Sequence, residues 1–145
     1  MENAISKRPF WFVSVAIVLL LWAVAGVASL GAHVFVGEKM AAEQGAWDLD
    51  YYRALPGWFA WDYALATLAA LAGAIALLMR SQHAVMLYVL SLIAVVIQFG
   101  YVFVGTDLLA HKGAAATVPF PTFIVLMACV QIVLARFAAK RGWVK

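Results

Sequence analysis

The sequence predicts an all-α integral membrane protein, an antiparallel up-down four-helix bundle with both termini in the cytoplasm. Three observations lead there. Of 145 residues, 67 % are hydrophobic and 12 % charged, whereas a soluble domain is about half apolar and a quarter charged. A short chain keeps too much surface wet to hide that excess from water, and such apolarity also excludes disorder. Four continuous apolar stretches are long enough, at roughly 20 residues, to cross a bilayer core of about 30 Å as helix. Barrel strands would instead alternate over about ten residues. Finally, Lys and Arg gather on one side of the alternation that four spans impose.

The first span runs from Phe10 to about Gly31 with no charge inside. Lys7 and Arg8 precede it as in a signal peptide, and Ala28, Ser29 and Ala32 offer small residues for cleavage. The run is nevertheless longer than a signal core of roughly 7–15 residues. Trp22 sits near mid-span, and its indole N–H wants an acceptor, so it is expected to face another helix. Residues 32–56 form the longest non-membrane stretch, and Glu38 to Gln44 read as one or two turns of a short interfacial helix. Trp47, Leu49, Tyr51 and Tyr52, set among Asp48, Asp50 and Arg53, suit the headgroup layer.

Pro56-Gly57 opens the second span, Gly57 to Met79, which holds one charge, Asp62. Proline fits a first helical turn, whose N–H is unpaired anyway. Arg80-Ser81-Gln82-His83 is a tight turn, so spans two and three are expected as antiparallel neighbours. The third span, Ala84 to about Thr106, is uncharged, and Asp107 to Val118 form a small alanine-rich loop. Pro119 and Pro121 open the last and shortest span, which ends at Ala135 before Arg136. Small residues four apart let helices approach, which makes Ala69 with Gly73 and Ala25 with Ser29 candidate seams. Trp11, Trp58, Trp61, Tyr63, Tyr101 and Trp143 fall where an aromatic belt belongs.

Orientation follows from the basic residues. Lys7, Arg8, Arg80, Arg136, Lys140, Arg141 and Lys145 share the side of the termini, against Lys39, Arg53 and Lys112 on the other. That bias predicts cytoplasmic termini. Glu38, Glu43, Asp48, Asp50, Asp62 and Asp107 lie on or near the outer side, with Glu2 alone inside. The basic residues sit at segment ends and form no face, so nucleic acid is not an expected partner.

Polar groups within the spans are the candidates for function. Asp62 lies five residues into span two, roughly 7–8 Å along the axis, and Gln98 lies about 12 Å before the end of span three. Tyr101 shares a helical face with Gln98. Asp62, Gln98 and Tyr101 form a candidate polar pocket in the outer half, with His33, Asp107 and His111 as its rim. One reading makes Asp62 an acid, a cation site or a proton acceptor. The other makes it a carboxylate favoured by the helix dipole, with Gln98 bonding helix to helix. Gln131, nearer the cytoplasmic end, reads as a packing residue, and no ionisable group links it to the outer cluster, so no proton wire is expected. His33, His111, Glu38 and Asp107 lack metal-site spacing, so no metal or other cofactor is expected. Cys129 is the single cysteine, which excludes an intrachain disulfide; it reads as a small buried apolar residue.

Four-span families with defined chemistry do not fit. A quinone-linked disulfide oxidase needs paired cysteines, a small multidrug exporter has a glutamate in its first span, and claudin-like proteins carry two cysteines in the first outer loop. Leu55-Pro56-Gly57-Trp58, Leu77-Leu78-Met79-Arg80 and Leu90-Ser91-Leu92 with Gln98 and Tyr101 do offer a pattern. With it the chain resembles a loose family of short four-span bacterial membrane proteins often labelled as sugar transporters. The resemblance covers most of the chain, implies a four-span fold and a transporter-like role, and brings no catalytic residues with it.

The expectation is a non-enzymatic accessory or assembly subunit in a bacterial inner membrane. Its partners would be membrane lipids and either other membrane-protein subunits or further copies of itself. The alternative is a small transporter using the polar pocket; an enzyme acting on lipid or quinone at the outer face ranks last.

Overall fold

The structure, a computed structural model, describes residues 7–145. Among the described residues eight helices follow one another: α1 (Phe10–Phe35), α2 (Gly37–Gln44), α3 (Ala46–Ala54), α4 (Gly57–Leu78), α5 (His83–Gly105), α6 (Leu108–Lys112), α7 (Ala114–Thr117) and α8 (Pro119–Lys140). No strand occurs among the described residues. The long helices α1, α4, α5 and α8 are each long and apolar enough to cross a membrane. Continuous helix is what such sequence must form in hydrocarbon, where every backbone N–H and C=O needs an internal partner.

The spanning helices pack in the order α1 on α4, α4 on α5 and α5 on α8, while α1 and α8 make no comparable contact. The closest pair is α4 with α5. Ser91 on α5 donates its hydroxyl to the Ala66 carbonyl of α4 at 2.7 Å, and Gly73 of α4 lies under the Tyr88 ring. Helix α1 turns Phe12, Ala16, Leu19 and Ala23 inward, a stripe at helical spacing.

One end of the bundle gathers the start of α1, the α4–α5 turn and the C-terminal residues. Trp143 packs on Phe12 with ring centroids 4.9 Å apart and on Trp11 at 5.7 Å. Phe137 joins this cluster. Lys145 donates its N–H to the Arg80 carbonyl at 2.8 Å, and Gln82 donates to the Lys145 carbonyl at 2.7 Å. Arg8 reaches across from the start of α1 to the last carbonyls of α4, donating to Leu78 at 3.0 Å. Such a cation near a helix C-terminus satisfies orphan acceptors and the dipole together. Burial, and then the charge of Arg80, lower the Arg8 pKa.

The opposite end carries the short helices. A Cβ on Gly37 would come within 2.6 Å of the Tyr52 ring, so glycine lets α3 fold back against the start of α2. Glu38 and Arg53 pair at 2.6 Å across them. Trp47 of α3 stacks on His111 of α6 at 3.9 Å, and Lys112 pairs with Asp48 at 2.8 Å.

Several expectations change. Residues 32–56 hold two helices after α1 where one short one was expected, and residues 107–118 hold α6 and α7. Helix α8 continues past Arg136 to Lys140, because long basic side chains near a membrane boundary carry their charge out to water without ending the helix. Trp143 is buried with Val144 and is no belt residue. Ala69 and Gly73 are buried between helices, whereas Ala25 and Ser29 are exposed, Ser29 touching α4 through the bond of its hydroxyl with that of Tyr63. Cys129 is exposed. Glu2 lies outside the described residues.

Candidate functional site

Between the four spanning helices lies a cavity of about 190 Å³ to which each contributes. Its floor is the α4–α5 pair, through Ala66, Thr67, Ser91, Val95 and Gln98. Helix α8 adds Ala128 and Gln131, and α1 adds Trp22, Gly26 and Ser29. The short side chains of Gly26, Ala66, Ala70 and Ala128 leave this space unfilled.

The lining is mostly apolar, and its polar groups are all uncharged. Two are notable for what they lack. Gln131 is 2 % exposed and Gln98 8 %, and neither amide has a hydrogen bond among the described residues. The Gln131 amide nitrogen is buried outright without a partner. A buried amide normally finds partners, because leaving one unpaired costs about 1–3 kcal/mol. By contrast the hydroxyls are occupied: Ser91 bonds Ala66, Thr67 donates to the Tyr63 carbonyl, and Ser29 bonds the Tyr63 hydroxyl.

Clusters of packed side chains lie beyond both ends of the cavity. Towards the termini it meets the buried cluster of Phe12, Leu77, Tyr88 and Trp143. Towards the short helices an aromatic layer crosses the bundle. His33 stacks on Tyr63 at 5.3 Å and lies 5.7 Å from Phe59 and 5.2 Å from Tyr52, whose hydroxyl donates to the His33 carbonyl. Phe59 continues to Tyr101 at 6.3 Å, and Tyr101 meets Trp58 edge-on at 5.0 Å.

Beyond that layer a second, shallower pocket of about 310 Å³ opens among Trp47, Tyr51, Tyr101 and Thr106, with Asp50 and Asp107 at its edge. Burial pushes the Tyr51 phenol up from its ordinary pKa, against the opposing pull of its hydrogen bond with Thr106.

The residues singled out from sequence are thus divided. Gln98 lines the inner cavity, Tyr101 and Asp107 line the outer pocket, and Asp62 lines neither. The expected joint pocket of Asp62, Gln98 and Tyr101 is not formed. Successive helical residues point about 100° apart, and on α4 it is Tyr63, next to Asp62, that faces the cavity. One Asp62 carboxyl oxygen is nevertheless buried without a partner. His33 belongs to the aromatic layer, and His111 lies flat on Trp47. No three His, Cys, Asp or Glu side chains converge on a metal position among the described residues. Sequence reasoning missed Gln131 as a cavity residue. The available signal was Ala128 three residues before it, which puts a small and an amide side chain on one helical face. Trp22 does face another helix: it meets Phe123 of α8 edge-on at 5.4 Å.

No family model, no curated protein and no solved structure is significantly similar to this chain.

Proposed function

We propose that this chain is a carrier-type membrane protein that binds a small uncharged molecule inside its four-helix bundle. The observation that supports it most is the pair of buried, unbonded amides, Gln98 and Gln131, facing one cavity. Hydrogen-bonding groups left open inside a membrane bundle are costly and mark ligand paths. A ligand supplies the missing partners. The absence of any Asp, Glu, Lys or Arg from the lining favours a neutral ligand, since an ion there would lie uncompensated. At about 190 Å³ the space exceeds the roughly 150 Å³ that accommodates benzene and falls below the range of about 300–1,000 Å³ for drug-sized ligands. It suits a group about the size of one six-membered ring.

The helices would run up and down in alternation, with both termini in the cytoplasm of a bacterial cell. The uneven distribution of Lys and Arg supports that orientation. A second reading, an accessory subunit in a larger complex or homo-oligomer, is favoured by α1: only 17 % of its most apolar stretch is buried, against 39 % for α4. A neighbouring protein helix would cover it as well as lipid does.

The test is to purify the protein in mild detergent and identify bound small molecules by solvent extraction and mass spectrometry, beside a Gln98→Leu/Gln131→Leu double variant. A neutral compound retained by the natural protein and lost from the variant is expected. Stoichiometric partner proteins with no such compound would favour the accessory role instead.

A further inference from the structure

The cavity is covered on its α4 and α5 side and uncovered between α1 and α8. Helices α1 and α8 both line it; they meet through Trp11 with Phe137 and Trp22 with Phe123, but pack far less on each other than α1 does on α4 or α8 on α5. Its lining residues on α4 and α5 are buried or half-buried, whereas Ala25 and Ser29 on α1 and Phe120 on α8 line it and are exposed. Those three are the lip of an opening. Ala25 and Ser29 lie ten and six residues before the end of α1 at Phe35, roughly 15 and 9 Å along the axis. Counted from Gly31, where the apolar run ends, the same two residues lie roughly 9 and 3 Å deep, and Phe120 is the second residue of α8, so the lip runs from the hydrocarbon up to its outer boundary. Trp22 and Phe123 meet edge-on between the same two helices and bound the opening.

We infer that the ligand enters sideways, from the lipid phase between α1 and α8, and is a membrane-dissolved amphiphile. Its head is an uncharged, ring-sized group with an oxygen acceptor for the Gln131 amide, and its apolar tail stays in the bilayer through the lip. This rests on the ligand-binding reading above and adds to it the source and class of the ligand. Aromatic side chains pack on one another beyond both ends of the cavity, which favours the uncovered flank as the way in. An ionised head is disfavoured by the uncharged lining, and a wholly apolar one would leave Gln131 and Gln98 unbonded.

The probe is decanophenone, a phenyl ketone with a nine-carbon alkyl tail, carrying on its ring a trifluoromethyl-diazirine that loses dinitrogen in light to give an inserting carbene, and offered from the lipid of nanodiscs holding the full chain. Photoactivation and peptide mapping locate it. Glycerol serves as the water-borne, uncharged control, with binding followed by equilibrium dialysis. Labelling on the Ala128–Gln131 stretch is expected, falling at least tenfold in Ala25→Trp, which fills the lip, and in Gln131→Leu, which removes the donor. Ala25 is exposed, so the larger side chain has room; Ala25→Leu gives a graded loss should the tryptophan variant misfold. Equal labelling in natural protein and Ala25→Trp overturns the lateral route, as does glycerol binding that Ala25→Trp leaves unchanged while decanophenone fails to bind; the cavity reading survives the second case. Failure of both probes overturns the route and the cavity reading together.

Discussion

Tyr88 occupies the space that a side chain on Gly73 would take. A Cβ at position 73 would lie 3.0 Å from both Cδ1 and Cε1 of the ring, and Tyr88 is fully buried, with no room to withdraw. The closeness of α4 and α5 depends on this pairing. Gly73→Leu is expected to cost about 1–3 kcal/mol, the range for an over-packed core. The loss should appear as a lower Tm in detergent. Gly73→Ala is gentler, because alanine returns up to about 1 kcal/mol of helix propensity. An unchanged Tm in Gly73→Leu would show that the ring can move aside.

The hydroxyl of the same tyrosine is buried without a partner. Removing a donor that bonds nothing relieves a desolvation cost. Tyr88→Phe should therefore leave stability unchanged or raise it by up to about 1 kcal/mol, read by the same melting experiment. A clear fall in Tm would reveal a partner for the hydroxyl in the membrane.

Gln131→Leu separates stability from function. With no ligand present, replacing an unbonded buried amide by a side chain of similar size should stabilise the fold by about 1–3 kcal/mol. Ligand retention should be lost at the same time, the usual pattern where a binding site is maintained at a cost to stability. A destabilised Gln131→Leu would mean that the amide is bonded within the protein and has only a packing role.

The Glu38–Arg53 pair is short, but its side chains are 55 % and 60 % exposed. Solvent screening leaves such pairs worth well under about 1 kcal/mol. Glu38→Gln should shift Tm by no more than a degree or two. A larger drop would indicate that α2 and α3 depend on this contact, rather than on Tyr52 packing over Gly37.

The spans were legible because their signal is additive: each of some twenty residues votes for hydrocarbon, so Phe10, Gly57, His83 and Pro119 lie within a residue of their expected starts. The ends of α1 and α8 were not, since neutral His33 and the snorkelling Arg136 do not stop a helix that still has backbone to satisfy. The candidate site was half legible. Gln98 was visible as a polar residue in an apolar run. Its company was not, because sequence gives the depth of a residue but not its azimuth around a helix. Asp62 and Tyr63 lie at one depth, and one residue of rotation decides which of them faces the cavity. The aromatic layer was scattered over four helices: Trp58, Tyr63 and Tyr101 read as belt residues, His33 as a pocket rim and Tyr52 as a headgroup-layer residue, while Phe59 gave no signal in an apolar run. Trp143 was misplaced because the chain folds back after α8 to pair Lys145 with Arg80 and Gln82, a long-range contact with no local pattern.

Cys129, one position from the cavity-lining Ala128, presents its thiol on the outward side of α8. The natural chain thus carries its one thiol on the flank of its own opening. A nitroxide attached there, without any mutagenesis, reads the depth of α8 against lipid-borne and aqueous relaxers, and its line shape reports how crowded that flank of α8 is when a guest is bound.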